Sequence, residues 1–262
     1  MKISFSKYEG TGNDFIIIDD RDCTFNVENY RRIALICDRE EGIGADGLIL
    51  LRDHKRYDFE MIYFNSDGKE STMCGNGGRC IVAFANTLGI INNKCIFLAC
   101  DGAHHAELHQ DVVKLQMQDV STINRLEEDV FVLNTGSPHY VKVTSRIDDI
   151  DVRVEGAAIR NSPSFKAEGI NVNFLESGEK ARIRSYERGV EDETLSCGTG
   201  TVACAIVLHE IGNNKKDNKI ISSSIITKGG ELHVEFQVAN NIYSNIFLEG
   251  PSKLVFNGEF PC

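Results

Sequence analysis

Two short glycine-rich segments each place a cysteine directly before a stretch of helical length: MCGNGGRC at residues 73–80 and SCGTGTVAC at residues 196–204. Each cysteine precedes Gly-x-Gly and an apolar run, so we expect a helix to begin there. The N–H groups at a helix N-terminus carry partial positive charge, which lowers a thiol pKa from about 8.5 towards neutrality. The same groups can bind a carboxylate, because glycine lets the backbone come close. The duplicated motif predicts two acid/base thiols, Cys74 and Cys197, that act on one substrate atom.

A pair of thiols on opposite sides of one carbon suits the inversion of a stereocentre. One group removes a proton from one face, and the other delivers a proton to the opposite face. The α-hydrogen of an amino acid is a very weak acid, so the charge that develops on the carboxylate must be stabilised. A thiolate and a thiol tuned near the working pH suit proton exchange in both directions. No lysine lies in a recognisable pyridoxal-phosphate setting and no nucleotide-binding signature is apparent, so we predict a reaction without a cofactor.

The sequence also allows other roles for the cysteines. A single Cys-Gly-x-Gly segment is more often a packed turn than an active site, and only the matched pair favours catalysis. The chain has nine cysteines, but the spacings within residues 74–80 and 197–204 differ from the close pairs usual in zinc sites. We therefore predict no metal. A redox or metal-binding thiol protein is the non-enzymatic alternative.

Composition narrows the class of partner and the compartment. The chain has 262 residues, 42% of them hydrophobic, and a net charge of −11, which argues against a nucleic-acid or anionic-membrane partner. The longest uncharged apolar run, residues 195–208, is shorter than the roughly 20 residues that span a bilayer. The odd cysteine count and the lack of a signal-peptide core favour free thiols in a reducing cytosol. We expect a cytoplasmic enzyme that acts on a small molecule.

An internal repeat indicates the architecture. Three landmarks recur in the same order and at nearly the same spacing, namely a Thr-Gly pair, an aromatic residue before a polar turn, and the Cys-Gly segment. We therefore predict an α/β (α+β) fold of two pseudo-symmetric domains, each a mostly antiparallel sheet wrapped around a central helix, with the active site in the cleft between them. The polar stretch 119–129 marks the predicted junction between residues 1–118 and 119–250. The landmarks are Thr11-Gly12 and Thr135-Gly136, Phe64-Asn65 and Tyr186-Glu187, and the two cysteine segments.

Helical periodicity and capping residues locate three helices. Asn26 is the predicted cap of a first helix, whose apolar stripe includes Tyr30 and Ile33. The helix after Cys74 is expected to end near Gly89, and the helix after Cys197 at Gly212.

Five segments of the chain form a specific set: GTGNDF at 10–15, NSDG at 65–68, MCGNGGRC at 73–80, ERG at 187–189 and SCGTG at 196–200. Together they resemble the diaminopimelate epimerase family, and the resemblance covers nearly the whole chain. It implies interconversion of LL- and meso-diaminopimelate, on the route to lysine and, in many bacteria, to peptidoglycan. It also implies two α/β domains, with a C-terminal tail at residues 251–262 that folds back onto the first.

The resemblance implies a role for each matching residue. Cys74 and Cys197 would be the acid/base thiols, and Glu187 and His139 would lie beside them and tune them. Ser137 departs from the family pattern, which often has asparagine there, and Gly47 stands at a position where glutamine also occurs. One extra residue lies between Glu187 and Cys197. The substrate-binding residues would be Gly75, Asn76, Gly198 and Thr199, whose N–H groups hold the reacting carboxylate, and Asn13, Asn65, Asn171, Glu187 and Arg188 towards the distal amino acid end.

The nearest alternative is a proline or hydroxyproline racemase-type enzyme, which is similar in using two cysteines in this fold. That group typically has histidine where Asn76 stands, and Asp-Arg-Ser-Pro before its second cysteine. Here residues 193–196 are ETLS, which disfavours it. Likeness to the epimerase family also suggests a homodimer.

Overall fold

The computed structural model describes residues 2–212 and 219–261. Met1 and Cys262, which the predicted domain limits include, lie outside this range. The chain forms two compact units, Met1–Leu115 with Gly250–Cys262, and Gln116–Glu249. The predicted junction at residues 118/119 lies three residues after the first division. No described helix has both the length and the apolar character needed to cross a membrane.

The first unit contains eight described strands and two helices. Its strands are β1 Lys2–Gly10, β2 Asn13–Asp19, β3 Gly47–Arg52, β4 Phe59–Asn65, β5 Lys94–Ala99, β6 Gly102–His109, β7 Val112–Gln116 and β17 Lys253–Pro261, and its helices are α1 Tyr30–Cys37 and α2 Gly75–Thr87. They form a sheet in the order β17-β1-β2-β3-β4-β5-β6-β7, in which β2–β3 and β4–β5 are parallel and the other pairs antiparallel.

The second unit repeats this plan. Its strands are β8 Ile123–Glu127, β9 Val130–Asn134, β10 Pro138–Thr144, β11 Asn171–Glu176, β12 Ala181–Glu187, β13 Asp192–Thr194, β14 Ile220–Thr227, β15 Gly230–Ala239 and β16 Ile242–Pro251; its α-helices are α3 Val152–Arg160 and α4 Gly198–Ile211, and a 3-10 turn spans Ile147–Asp149. The sheet order is β8-β9-β10-β11-β12-β14-β15-β16, with β13 also on β12, and only β10–β11 and β12–β14 are parallel.

Each sheet packs on one central helix, α2 in the first unit and α4 in the second. Both helices are buried over most of their length, so apolar residues occupy all their faces. The predicted α+β class, with a mostly antiparallel sheet around a central helix in each half, is confirmed.

Strand register shows that the repeat extends to individual residues. In the first unit Phe15 pairs with Gly47 across the parallel strands β2 and β3. In the second, His139 pairs with Asn171 across the parallel strands β10 and β11. The two pairs occupy the same place in the two sheets. The positions Phe15 and His139, Gly47 and Asn171, Ile49 and Asn173, and Tyr63 and Ser185 are therefore equivalent.

Two sequence expectations about α1 were wrong. The cap of α1 is Asn29, whose side chain accepts from Arg32 N at 3.1 Å, whereas the Asn26 side chain accepts from Glu28 N within the preceding turn. Tyr30 is 60% exposed and lies off the buried stripe. The helix α3, capped by the side chain of Asp151, was not predicted.

Candidate active site

Cys74 is the residue that caps the central helix of the first unit. Its Sγ accepts a hydrogen bond from Gly77 N at 3.5 Å. The first helical bond runs from Gly78 N to Cys74 O at 2.8 Å, so the N–H groups of Gly75 and Asn76 belong to the turn that lacks intrahelical acceptors. The Cys74 side chain is partly exposed. A partly exposed sulfur is thus held at the positive end of a helix, as predicted.

Asn13 and Asn76 contact each other beside this helix end. The Asn76 side-chain amide donates to Asn13 Oδ1, and Asn13 Nδ2 donates to Asp46 Oδ2 at 2.9 Å. Asp46 also forms an ion pair with Arg39 at 2.8 Å. Asp46 was not predicted as a site residue, and its Gly-Ala-Asp-Gly context gave only the signal of a loop.

The loop before Asn13 is tied to α2 by a buried cation. Thr11 has a φ of 53°, and its hydroxyl accepts from Arg79 Nη2 at 2.7 Å. Arg79 also donates to Gly75 O at 3.2 Å, in the first turn of α2. Burial lowers the pKa of Arg79. This fully buried side chain, which sequence reasoning missed, fixes the Thr-Gly loop against the helix end.

The structure explains why glycine stands at position 47. A Cβ added there would lie 2.5 Å from the Phe64 carbonyl oxygen and 2.5 Å from the ring of Tyr63. A glutamine therefore has no room while Tyr63 occupies this space. Asn65 pairs with Gly47 across β3 and β4 and closes a turn through Gly68 N at 2.9 Å.

Cys197 caps the central helix of the second unit. Unlike Cys74, it forms no side-chain capping bond to the helix backbone. Its Sγ lies 3.6 Å from Thr199 Oγ1, and the residue is only 4% exposed. The Thr135 hydroxyl donates to Thr199 O at 2.9 Å, so the second Thr-Gly loop is also tied to its helix end. The two cysteines thus share a position but differ in surroundings.

Asn171 links three predicted site segments of the second unit. Its Nδ2 donates to Ser137 Oγ at 2.8 Å and to Pro138 O at 3.1 Å. Its Oδ1 accepts from Arg188 N at 2.9 Å. Ser137 therefore supplies a hydrogen-bond acceptor for Asn171.

Glu187 is the last residue of the strand β12, and Arg188 follows it. The hydroxyl of Thr194 donates to Glu187 Oε1, and the Arg188 guanidinium donates to Glu168 O at 3.0 Å. Both side chains are partly buried. The pair is therefore not the freely solvated surface pair that residue type alone would suggest.

His139 is fully buried in the second sheet. Its Nδ1 lies 3.0 Å from Asn173 Nδ2. Burial, followed by the positive charge of Arg188, lowers the pKa of His139 to about 3. The ring is therefore neutral at physiological pH. Asn173 was not predicted, although asparagines two residues apart on a strand share one face and could have indicated it.

Each unit thus places predicted residues beside a cysteine at a helix N-terminus. In the first unit Cys74, Gly75, Asn76 and Asn13 lie at one helix end, and Asn65 lies on β4, paired with Gly47. In the second unit two connected groups form. Thr199 lies beside Cys197, and Asn171 joins Ser137 to Arg188.

Comparison with protein families and curated proteins gives one consistent result. The sequence model of the diaminopimelate epimerase family matches residues 5–123 and 131–255. A diaminopimelate epimerase from Flavobacterium psychrophilum is 51% identical over 253 residues, which cover 95% of this chain and 97% of that protein. One from Chlorobaculum tepidum is 41% identical and covers 95% and 98%.

Solved structures with the same fold are more distant in sequence. A phenazine biosynthesis protein of the PhzF family from Bacillus anthracis gives a TM-score of 0.75 at 13% identity, covering 100% of both chains. A hydroxyproline epimerase from Agrobacterium vitis, with bound trans-4-hydroxy-L-proline, gives 0.70 at 16% identity, covering 98% and 92%. At such identities the likeness concerns the fold alone.

Proposed function

The chain belongs to the diaminopimelate epimerase family, and on this premise we propose that it interconverts LL- and meso-2,6-diaminopimelate through the thiols of Cys74 and Cys197, without a cofactor. The protein is accordingly an isomerase that acts on an amino acid. Its reaction would serve lysine biosynthesis and the supply of peptidoglycan precursors, in the cytoplasm. The observation that carries the proposal is the equivalent placement of the two cysteines, each at the N-terminus of the central helix of its unit.

The proposed reaction is a proton exchange at the α-carbon. The thiolate of one cysteine removes the α-proton and becomes a thiol, while the thiol of the other delivers its proton to the opposite face and becomes a thiolate. The carboxylate carries the negative charge that develops between these events. Helix N-termini bind such charge, so we assign the carboxylate to the N–H groups of Gly75, Asn76, Gly198 and Thr199. The reaction requires both sulfurs to reach the same carbon.

The remaining predicted residues are assigned to substrate recognition and thiol tuning. Asn13, Asn65, Asn171 and Arg188 would bind the distal amino acid end, where amide and guanidinium groups suit an ammonium and a carboxylate. The side chains of Asn13 and Asn171 are oriented by hydrogen bonds to their neighbours, which supports preorganised recognition. Glu187 would contribute both to substrate binding and, with His139, to the environment of the thiols.

The test is incubation with LL-diaminopimelate in deuterated water. We expect deuterium at one α-carbon together with formation of the meso isomer. Cys74→Ala and Cys197→Ala should each abolish both, because each removes one of the two acid/base groups. Cys23→Ala, at an exposed cysteine outside both helix ends, is the matched control and should keep full activity. Full activity in either of the first two variants would refute the two-thiol assignment.

The same assay distinguishes the proposed epimerase function from the racemase-type alternative. Proline and trans-4-hydroxyproline should show no α-proton exchange with this protein, and exchange at either would favour that alternative. We also propose a homodimer from family likeness, which sedimentation equilibrium tests directly.

A further inference from the structure

Three polar side chains form a buried row beside the central helix of the second unit: His139, Asn173 and Ser185. Asn173 faces Ser185 across β11 and β12, and the Ser185 hydroxyl donates to Asn173 Oδ1 at 2.8 Å. On the other side, Asn173 Nδ2 lies 3.0 Å from His139 Nδ1 and 3.3 Å from Tyr140 O. Asn173 and His139 are 0% exposed. Burial of polar groups is costly unless they are hydrogen-bonded, so the orientation of each group in this row is strongly determined.

The row determines which nitrogen of His139 carries the hydrogen. Tyr140 O is a carbonyl oxygen and only accepts, so the Asn173 atom that faces it must be the amide NH₂. The same NH₂ faces His139 Nδ1, which must therefore accept. A neutral imidazole with Nδ1 as acceptor carries its hydrogen on Nε2. The ring stays neutral because burial and the charge of Arg188 both disfavour protonation.

The first unit shows that the fold does not need this row. The equivalent positions there are Phe15, Ile49 and Tyr63. Phe15 and Ile49 are buried and apolar, and the ring of Phe15 packs edge-on against Tyr63 at 6.0 Å. The same sheet position is thus filled by ordinary packing in one half and by a hydrogen-bonded row in the other. This difference points to a chemical role in the second unit.

The row lies against the turn that begins at Cys197. A Cβ added at Gly200 would overlap Asn173 Oδ1 and lie 3.2 Å from Cys197 Cβ. Asn173 and Cys197 therefore flank the same glycine. The His139 Nε2 atom is buried and has no hydrogen-bond partner among the described residues. A buried N–H of this kind favours an anion as its acceptor.

We propose that Asn173 is a positioning residue that, oriented by the Tyr140 carbonyl oxygen, holds His139 in its neutral Nε2–H form, so that His139 serves as a permanent hydrogen-bond donor to a catalytic thiolate and not as a proton acceptor. This inference rests on the proposed function and deepens it. It assigns all net proton transfer to the two cysteines, since His139 neither gains nor loses a proton. It also gives a reason for the asymmetry between the two halves.

The first test is the protonation state of His139 in the folded protein without substrate. The chain has seven histidines, so nitrogen-15 labelled protein is compared with His139→Gln to assign the ring signals. We expect a neutral ring with hydrogen on Nε2, unchanged between about pH 5 and pH 8, where histidine ordinarily titrates. A hydrogen on Nδ1, or a ring that titrates in this range, overturns the inference.

The second test changes the neighbour while keeping its shape. Asn173→Asp replaces the donor NH₂ by a carboxylate oxygen, so Nδ1 should become protonated, and kcat at pH 8 should fall at least about tenfold, as for the loss of a catalytic hydrogen-bond donor. Ser185→Ala is the matched control. It leaves Tyr140 O to orient the amide, so the Nε2–H form should persist and kcat should stay within about threefold. Equal losses of kcat in the two variants, with the ring unchanged in both, would overturn the role of Asn173. Should Asn173→Asp not fold, the wild-type measurement decides.

The acceptor is tested by removing each sulfur. The Nε2–H proton signal should move in Cys74→Ser or in Cys197→Ser, and insensitivity to both refutes donation to a thiolate. These measurements need no substrate, so they test the role of His139 independently of the proposed function. Absence of α-proton exchange with Nε2–H present refutes the proposed function, whereas exchange with hydrogen on Nδ1 refutes only this inference.

Discussion

The two central helices contain a matched pair of glycines with opposite surroundings. Gly77 and Gly200 each stand three residues after the capping cysteine. At Gly77 the closest neighbours of an added Cβ would be the ends of flexible side chains, Ile49 Cδ1 at 3.0 Å and Met61 Cε at 3.4 Å, with Cys74 Cβ at an ordinary contact distance of 3.6 Å. At Gly200 it would lie closer to Asn173 Oδ1 than real Cβ atoms come to any neighbour. Replacement by alanine should therefore be tolerated at Gly77 and destabilising at Gly200.

The magnitudes follow from what each neighbour can do. Alanine is favoured over glycine in a helix by about 1 kcal/mol, which offsets the small shift needed at Ile49. Gly77→Ala should thus change the free energy of unfolding by no more than about 1 kcal/mol. At Gly200, Asn173 can move only by weakening its hydrogen bonds to His139 and Ser185, at about 1 kcal/mol each. With overpacking of about 1–3 kcal/mol added and the same helix-propensity gain of about 1 kcal/mol subtracted, Gly200→Ala should cost about 2–4 kcal/mol.

Urea unfolding monitored by circular dichroism measures both variants. We expect the midpoint of Gly200→Ala to fall clearly while that of Gly77→Ala stays near wild type. A double-mutant cycle with Asn173→Ala should recover at least about 1 kcal/mol of the Gly200→Ala loss, since residues in contact couple. Equal losses at the two glycines, or no coupling to Asn173, would refute the steric argument.

Three further predictions concern other parts of the chain. Because burial lowers the pKa of His139 to about 3, while an unfolded histidine has a pKa of about 6.5, the unfolded state binds one more proton between these values. The free energy of unfolding should therefore fall as pH drops below about 6.5. Urea titrations at several pH values should show that, between about pH 3 and pH 6.5, this free energy depends less steeply on pH in His139→Gln than in wild type, by about 1.4 kcal/mol per pH unit. An unchanged pH dependence contradicts this. Gly47→Ala should cost about 2 kcal/mol or more of unfolding free energy, because the new Cβ meets the Phe64 carbonyl oxygen at 2.5 Å, and thermal unfolding at wild-type temperature would disprove it. Mild oxidation should inactivate the enzyme through a Cys74–Cys197 disulfide, and inactive oxidised protein without this crosslink in mass spectra would show that the two sulfurs do not approach each other.

Local chemistry made the position of the two cysteines at helix N-termini predictable. A cysteine before Gly-x-Gly and an apolar run predicts the start of a buried helix from neighbouring residues alone. Glycine relieves steric conflict at the cap, and the apolar run requires burial. Cys74 and Cys197 accordingly cap α2 and α4. The repetition of the fold in the two halves was equally predictable, because sequence landmarks that keep their order and spacing also keep their strand register.

Features that depend on distant partners were not predictable in this way. Asn26 and Asn29 are equally good caps by residue type, and only packing against the sheet selects the start of α1. The sequence does not distinguish Asn173 from other asparagines in strands. Its role depends on β10 and β12, which bring His139 and Ser185 to its two sides. Arg79 is 0% exposed and contradicts the rule that arginine lies at the surface. One of its hydrogen-bond acceptors, the Thr11 hydroxyl, comes from a loop far away in sequence.

The position of β17 determines when the first unit can become complete. β1 lies between β2 and β17, and the whole second unit separates β1 from β17 along the chain. During synthesis, β1 therefore leaves the ribosome long before its outer neighbour exists, and one edge of the nascent sheet stays without its hydrogen-bonding partner. The second unit, whose residues are contiguous, has all its strands available earlier than the first. Domains generally fold from the N-terminus onwards, and here the order of completion is reversed: the half that is translated first is the last to close its sheet.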